Sequence, residues 1–306
     1  MINGQTNWIA LLGDPVAHTF SPAMHNAAFD HLQMNWRYAA HAVKPQNLHE
    51  ALQGLIALHY RGLNITVPHK EKILPMLDEV DPLAAAIGAV NSITIREGRT
   101  KGYNTDAIGF IRGLREDNFD PQGKKALILG AGGAARAVAL ALIQEGIKTL
   151  TIVNRSFQKA EELLKNLETY SATMNNKPAL SYRPFEPEVL QKDLNETDLL
   201  INGTSLGMVK EGKATAYPFP PRLWLPEKRG LYVADLVYNP IETELLQEAK
   251  KRGQKRQNGL PMLLYQGAVA FEQWTDVPAP VTIMAQALEA YRAKMLTPHA
   301  RPGTTT

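Results

Sequence analysis

The chain has 306 residues, which at about 150 residues per domain suggests roughly two domains, and it is 44% hydrophobic and 21% charged, a globular composition with ample core material. Lys plus Arg number 33 against 30 Asp plus Glu, and the formal net charge of +3 is too balanced for a dedicated nucleic-acid binder. The absence of cysteine excludes disulfides, thiol nucleophiles, Fe–S clusters and cysteine-based zinc sites, and it fits a reducing compartment.

The chain begins Met1-Ile2-Asn3-Gly4-Gln5-Thr6, with neither the basic region nor the apolar run of a signal peptide. No stretch approaches the ~18 uninterrupted apolar residues of a membrane span. A soluble, cytoplasmic protein with no membrane partner is expected.

Short apolar runs alternate with amphipathic helical stretches, the pattern of an α/β protein built on mainly parallel sheets. Trp8 to Leu12 reads as a strand, and Ser21-Pro22 opens a helix with Ser21 at the N-cap. Leu63 to Val67 is a strand stopped by Pro68, and Val90 to Ile95 is another that turns at Glu97-Gly98. A helix runs from Asp106 to about Glu116, before the punctuation Asp120-Pro121-Gln122-Gly123. A regular β-α alternation follows, with strands at 126–129, 149–153, 198–202 and 232–236. Helices are expected over 133–145, from the Ser156 cap onward, and over 242–252, ending at Gly253. Two more lie near 262–274 and 281–294, and residues 297–306 read as a flexible tail.

Gly130-Ala131-Gly132-Gly133-Ala134-Ala135-Arg136 fits G-x-G-x-x-G/A, follows an apolar strand and opens an Ala-rich helix. Gly130 permits the tight turn and Gly132 lets the backbone approach a pyrophosphate. Ala135 keeps helix close to strand, while the helix N-terminus offers free N–H groups. The structural alternative is a plain β-α turn rich in small residues. At the end of the next strand an NAD site would place Asp or Glu against the ribose hydroxyls. Here stand Asn154-Arg155-Ser156, with Lys159 one turn on. Arg155 can grip a 2′-phosphate by paired hydrogen bonds and Lys159 adds charge, so NADP fits better than NAD. A solvated surface arginine is the alternative for Arg155, and Ser156 doubles as the helix cap.

Thr19, Ser21, Thr66, Lys70, Asn91 and Asp106 stand where strands end and helices begin. Short hydroxyl, amide and carboxylate groups in such places suit a polyhydroxylated ligand. At this point the chain resembles the shikimate dehydrogenase family. The resemblance is carried by the segments Gly13 to Asn26, Asn64 to Lys70, Gly88 to Ser92 and Gly102 to Asp106. It continues through the glycine turn, Ile201 to Met208, Asp235 to Pro240 and Met262 to Gln266, in family order over nearly the whole chain.

The resemblance implies reversible reduction of 3-dehydroshikimate to shikimate with NADPH, in the pathway to chorismate and the aromatic amino acids. It implies Lys70 as the catalytic acid/base, paired with Asp106. Thr19, Ser21 and Tyr238 would hydrogen-bond the substrate carboxylate, with Thr66 also lining the pocket. Asn91, Asp106, Lys70 and Gln266 would hold the ring hydroxyls. Cofactor contacts are implied at Gly130, Ala131, Gly132, Gly133, Ala134, Asn154, Arg155, Ser156, Lys159, Thr204, Met208, Gly259 and Met262. Two domains are implied: a discontinuous substrate-binding catalytic domain over 1–106 and 260–296, and a Rossmann-type NADP-binding domain over 107–259. Family members occur as monomers and homodimers.

Simpler readings stand beside these. Asp106 and Ser21 can serve as helix caps alone, Lys70 as an exposed lysine, and Asn91 as a structural hydrogen-bonding group. Tyr238, Gln266, Met208 and Met262 can be ordinary packing residues. Seven histidines fall in the first 69 residues, none with the spacing of a metal site, and no metal is expected. The run Lys250-Lys251-Arg252 reads as a solvated helix end. The chain departs from the family at Thr19, usually Ser, at Pro261, usually Gly, and at Gly203, commonly Ala. The extra methyl of Thr19 bears on shikimate against quinate, so a dual quinate/shikimate dehydrogenase is the nearest alternative. A non-catalytic ligand-binding regulator is the other, against which the intact Lys70 and Asp106 speak.

Overall fold

The computed structural model describes residues 2–172, 174–210 and 213–296, so the expected tail lies outside the described residues. The chain divides into two compact units. One comprises the described residues within Met1–Ala84, Ala89–Thr105 and Leu264–Thr306, and the other those within Ala85–Gly88 and Asp106–Leu263.

The first unit contains β1 (Asn7–Gly13), α1 (Ser21–His31), β2 (Trp36–Ala42), α2 (Leu48–Ala57), β3 (Gly62–Ile65) and β4 (Glu79–Val80). After α3 (Pro82–Ile87), whose end falls in the second unit, come β5 (Ser92–Arg96) and β6 (Arg99–Tyr103). The six strands form one sheet in the order β2-β1-β3-β5-β6-β4. β1 is parallel to both neighbours, β3–β5 and β5–β6 are antiparallel, and β4 is parallel to β6. Ala10, Leu12, Leu63, Ile65, Ile93 and Ile95 pack with Leu48 and Leu52 of α2 in the core of this unit.

The second unit opens with α4 (Asp106–Glu116), β7 (Lys125–Leu129), α5 (Gly133–Gln144), β8 (Thr149–Val153) and α6 (Phe157–Ser171). It continues with β9 (Ala179–Arg183), α7 (Pro187–Glu196), β10 (Leu199–Asn202) and the short strands β11 (Val209–Lys210) and β12 (Lys213–Ala214). β13 (Tyr232–Asp235), α8 (Glu244–Lys251) and β14 (Lys255–Gln257) complete it. Its six-stranded sheet has the order β14-β13-β10-β7-β8-β9 with every pair parallel. Counted from β7 that is 3-2-1-4-5-6, the doubly wound arrangement of dinucleotide-binding folds. β7 and β10 are buried along nearly their full length, as strands covered on both faces must be. The α/β class with mainly parallel sheets therefore holds in both units.

Helix α9 (Leu260–Thr275) leads the chain from the second unit back to the first, where α10 (Val281–Leu296) packs on α1. Phe20 meets Tyr291 edge-on at 5.1 Å. The Trp274 indole donates to the Ile93 carbonyl at 3.1 Å and lies beside the stacked rings of His25 and Tyr38.

Four local readings need correction. α1 begins at Ser21 with Phe20 as its N-cap and no side-chain cap, so Ser21 is not the cap. The Thr19 hydroxyl takes over the local role, accepting from the Ser21 N–H at 3.3 Å. The strand expected over 63–67 ends at Ile65, and Asn91 precedes β5 rather than lying within it. Arg252 is not a solvated helix end: it is largely buried, pairs with Glu248 at 3.0 Å and Glu227 at 3.1 Å, and donates to the Arg222 and Leu225 carbonyls.

Glycine sets two close approaches in the first unit. A Cβ at Gly62 would collide with the Trp274 indole and lie 2.7 Å from the Ile93 carbonyl oxygen, neither of which can yield. A Cβ at Gly267 would instead strike the Met24 terminal methyl, a flexible tip. Urea denaturation is expected to show Gly62→Ala destabilised by about 2 kcal/mol or more, the cost of overpacking. Gly267→Ala is expected to stay within about 1 kcal/mol of the parent, since helix propensity gained offsets the repacking.

Candidate functional site

Within the first unit, side chains from three distant segments converge. Asn91 is buried and accepts from the Thr105 N–H at 2.7 Å while its amide donates to Thr105 Oγ1 at 3.0 Å and Gln266 Oε1 at 3.2 Å. Thr105 Oγ1 also donates to Gln266 Oε1, at 3.4 Å. The sequence placed Asn91 and Gln266 in one pocket, and the fold brings them into contact. It missed Thr105, which joins them.

Asn91 is fixed from below by its backbone. Its N–H donates to the Tyr103 carbonyl, and its carbonyl accepts from Ile65 N–H and Asn64 Nδ2. Asn64 in turn accepts from the Tyr38 hydroxyl at 2.8 Å. Lys70 stands half-buried in the turn after β3, where its carbonyl accepts from the Val90 N–H at 2.8 Å. Asp106 follows Thr105 directly and is the buried first residue of α4, where the helix dipole favours a carboxylate. Thr19 Oγ1 donates to Ser21 Oγ at 3.3 Å, so these two hydroxyls form a pair at the start of α1. Thr66, half-buried at the end of β3, packs its methyl where a Cβ at Gly13 would fall.

The second unit carries the glycine turn between β7 and α5. Gly130 has φ +107, a left-handed conformation that L side chains rarely adopt, and a Cβ there would lie 2.9 Å from Thr204 Cγ2. Gly203 lies equally close to α5, for its Cβ would meet the Ala135 methyl at 2.9 Å. The turn thus sits at the junction of β7 and β10, the switch point of the sheet order, with Thr204 against it. Gly132 is exposed with open space where a Cβ would stand, and it is the N-cap of α5.

These residues fit a dinucleotide: an open glycine cradle, a helix N-terminus and a switch-point crevice. The end of β8 fits a 2′-phosphate in particular. Ser156 caps α6 by accepting from the Lys159 N–H, and Asn154 donates to the Ser156 carbonyl at 2.9 Å. Arg155 and Lys159 are exposed and have no ion-pair partner among the described residues. The nearby carboxylates are engaged elsewhere, Glu161 with Lys165 at 3.3 Å and Glu162 with Arg136 at 2.9 Å. Met208 is half-buried after the Thr204 turn, and Met262 is buried in the first turn of α9. Gly259 packs its backbone on Leu236 and donates to the Val237 carbonyl at 3.1 Å. Pro261 is the second residue of α9, where an N–H has no intrahelical acceptor, so the helix accommodates the departure without loss.

Among the described residues there is no grouping of three or more His, Asp or Glu that could hold a metal ion, and no helix is long and apolar enough to cross a membrane. Sequence reasoning also passed over the carboxyl ends of β10 and β13. Asn202 and Asp235 face each other in register, and Asn202 Nδ2 donates to Asp235 Oδ1 at 2.9 Å. The available signal was a polar residue closing each of two apolar strands. Asp235 accepts further from Val237 N–H at 3.0 Å and from Thr243 Oγ1 at 2.6 Å, the same hydroxyl that caps α8. Burial pushes its carboxyl up to about 6, against the downward pull of the Thr243, Val237 and Asn202 hydrogen bonds. Burial, with the Asp235 charge, also raises the Tyr217 phenol.

Models of the shikimate dehydrogenase family match the chain in three places. They are its substrate binding domain at residues 11–93, the shikimate/quinate 5-dehydrogenase model at 114–207, and the shikimate 5′-dehydrogenase C-terminal domain at 259–289. The chain is 46% identical over 294 residues to a shikimate dehydrogenase (NADP(+)) of Desulforamulus reducens, covering 96% of this chain and 98% of that one. A crystal structure of shikimate dehydrogenase in complex with NADP+ is similar with a TM-score of 0.84 and 42% identity, covering 95% of this chain and 97% of the other. The shikimate 5-dehydrogenase of Thermus thermophilus, in complex with NADP(H) and shikimate, is similar with a TM-score of 0.79 and 39% identity, covering 93% and 99%.

Asp235 makes stability depend on pH in a definite direction. Its carboxyl lies near 6 when folded, above the ~3.9 of an unfolded chain, so the folded state takes up the proton first as pH falls. Relative to Asp235→Asn, the parent is expected to gain about 1 kcal/mol of stability between pH 8 and pH 5, read from denaturation at each pH. An unchanged difference between the two proteins would show that Asp235 does not titrate in that range.

Proposed function

The chain belongs to the shikimate dehydrogenase family, and from that membership we propose that it interconverts 3-dehydroshikimate and shikimate with NADP(H), in the route to chorismate and aromatic amino acids. The observation that carries this reading is the succession along one chain of the substrate-domain match, the dehydrogenase match and the C-terminal match. The doubly wound sheet with a glycine turn at its switch point supports it independently.

When bound, NADP(H) supplies or accepts the hydride. The oxygen on the reacting ring carbon must gain or lose a proton in the same event, and Lys70 is the residue we assign to it. As an ammonium, Lys70 Nζ donates that proton to the oxygen that becomes the hydroxyl. In the oxidative direction it takes the proton back and must first be neutral. The role we assign to Asp106 is orientation and relay of the proton. Asn91 and Gln266 offer donors and acceptors to ring hydroxyls, the Thr19–Ser21 hydroxyl pair and Tyr238 bind the carboxylate, and Thr66 completes the pocket.

The second unit would hold the cofactor. Gly130 to Ala134 would meet the pyrophosphate, and Asn154, Arg155, Ser156 and Lys159 would hold the 2′-phosphate. Thr204, Met208, Gly259 and Met262 would adjoin the nicotinamide. The small-molecule partners are thus shikimate and NADP(H); a cytoplasmic setting and a monomeric or homodimeric state complete the proposal.

Mixing the protein with shikimate or quinate and NADP or NAD, and following reduced-nicotinamide absorbance, tests the reading directly. Shikimate with NADP is expected to be the most active combination, faster at higher pH because oxidation releases a proton. Equal rates with quinate would favour the dual enzyme on the strength of Thr19, and silence in all four combinations would leave a regulator. Lys70→Ala is expected to lower turnover by ~10²–10⁴; a change of only a few-fold removes Lys70 from the acid/base role. Arg155→Ala is expected to raise KM for NADP by about tenfold or more, with KM for NAD little changed, since only NADP carries the phosphate.

A further inference from the structure

Asn202 is fully buried, and every polar atom of its amide is used. Its Oδ1 accepts from the Thr204 hydroxyl at 2.6 Å and the Thr204 N–H at 3.1 Å. Its Nδ2 donates to the Leu206 carbonyl at 3.1 Å, to the Tyr217 hydroxyl at 3.2 Å and to Asp235. Thr204 Oγ1 then accepts from the Leu206 N–H at 3.0 Å. One amide therefore dictates the path of residues 203–206. Gly207, at φ +82, completes the turn against Thr243, whose Cβ would be 3.0 Å from a Cβ added there.

Asp235 plays the matching part on the next strand. It orders the Val237 N–H and so the turn that carries Tyr238, and it ties both to the α8 cap through Thr243. No cationic side chain pairs with this carboxylate among the described residues, so three hydrogen bonds alone offset its burial. Groups so arranged are costly to disturb, because each lost partner leaves a buried polar atom unsatisfied.

The sheet order says which part of a dinucleotide this pair serves. A doubly wound sheet takes one mononucleotide on each side of its switch point. Arg155, assigned above to the 2′-phosphate, follows β8 on one side, whereas β10 and β13 form the other.

We infer that Asn202 and Asp235 are positioning residues for the nicotinamide half of the cofactor, acting through the Thr204–Met208 loop and the Val237–Tyr238 turn. The inference rests on the NADP reading, and its test separates the two. NADP+ and 2′,5′-ADP, a fragment with the 2′-phosphate but no nicotinamide, are titrated into the parent, Asn202→Ala and Asn202→Asp by calorimetry, with a melting curve for each protein. Both variants are expected to bind NADP+ about tenfold more weakly at pH 8, the cost of unpairing the loop. Affinity for 2′,5′-ADP is expected to stay within about twofold of the parent.

Asn202→Asp adds a second readout. It keeps an acceptor for Thr204 but sets a second carboxylate against Asp235, in surroundings whose other titratable groups among the described residues are the Tyr217 phenol and, beyond it, Glu244. Two carboxylates in contact share a proton readily. NADP+ affinity of Asn202→Asp is therefore expected to recover toward the parent as pH falls to about 5.5, while Asn202→Ala does not recover. Should Asn202→Ala fail to melt cooperatively, Asn202→Asp decides. Equal losses for both ligands, or no loss for either, would overturn the positioning role. Failure of the parent to bind 2′,5′-ADP would instead sink the NADP reading, and this assignment with it.

Discussion

An amide side chain buried at the end of a strand has two donors and an acceptor to satisfy, and the segment that follows must supply what water cannot. This constraint recurs in both units. In the first, Asn64, next to last in β3, lies between the Tyr38 hydroxyl and the Asn91 carbonyl, and Asn91 in turn holds Thr105 and Gln266. In the second, Asn202 ends β10 and organises Thr204 to Leu206. The loops that bear the proposed ligand contacts inherit their shape from buried amides, of which Asn64 and Asn202 are assigned no ligand contact. Loops built this way are rigid at their roots, which is what hydride and proton transfer over fixed distances require.

Close packing of small residues provides the second half of the design. Gly203 abuts Ala135 and Gly130 abuts Thr204, so β7, β10 and α5 meet with almost nothing between their backbones. The resemblance implied Ala as the common residue at position 203. With Ala135 opposite, a methyl there would lie 2.9 Å from the Ala135 methyl, so α5 would have to shift, and Gly203 lets helix and strand approach this closely. Position 203 is thus coupled to the fingerprint, although in the chain three helix–strand units separate the two.

The alternation of apolar runs made the second unit legible, since strands covered on both faces are written as short continuous hydrophobic stretches. The glycine turn and the Ser156 cap could be placed for the same reason: each has a local cause. Much of the first unit was harder to read. Strand β2, Trp-Arg-Tyr-Ala-Ala-His-Ala, lacks both continuous hydrophobicity and clean alternation, and α3 is only six residues long. Ser21 misled because a serine before proline suits an N-cap, whereas the helix already includes Ser21 and its own N–H is taken by the Thr19 hydroxyl two residues earlier. The polar networks were invisible for another reason. Asn91 with Gln266 joins residues 175 apart, and such pairings follow from topology rather than from local pattern.

Electrostatics repeats the lesson at longer range. A net charge of +3 on 306 residues gives no hint of an anion site, because pairing and not abundance decides which cations are available. On α6 and its approach, Arg155, Lys159, Glu161, Glu162 and Lys165 nearly cancel. Yet Glu161 is held by Lys165 one turn along, and Glu162 is held by Arg136 reaching across from α5. Arg136 is itself almost fully buried and also donates to the Ala131 carbonyl in the glycine turn. One guanidinium thereby engages a carboxylate of α6 and braces the glycine turn. A lysine could match its charge but not its two simultaneous directions, so the last residue of the Gly130–Arg136 segment helps fix the shape of the glycine turn.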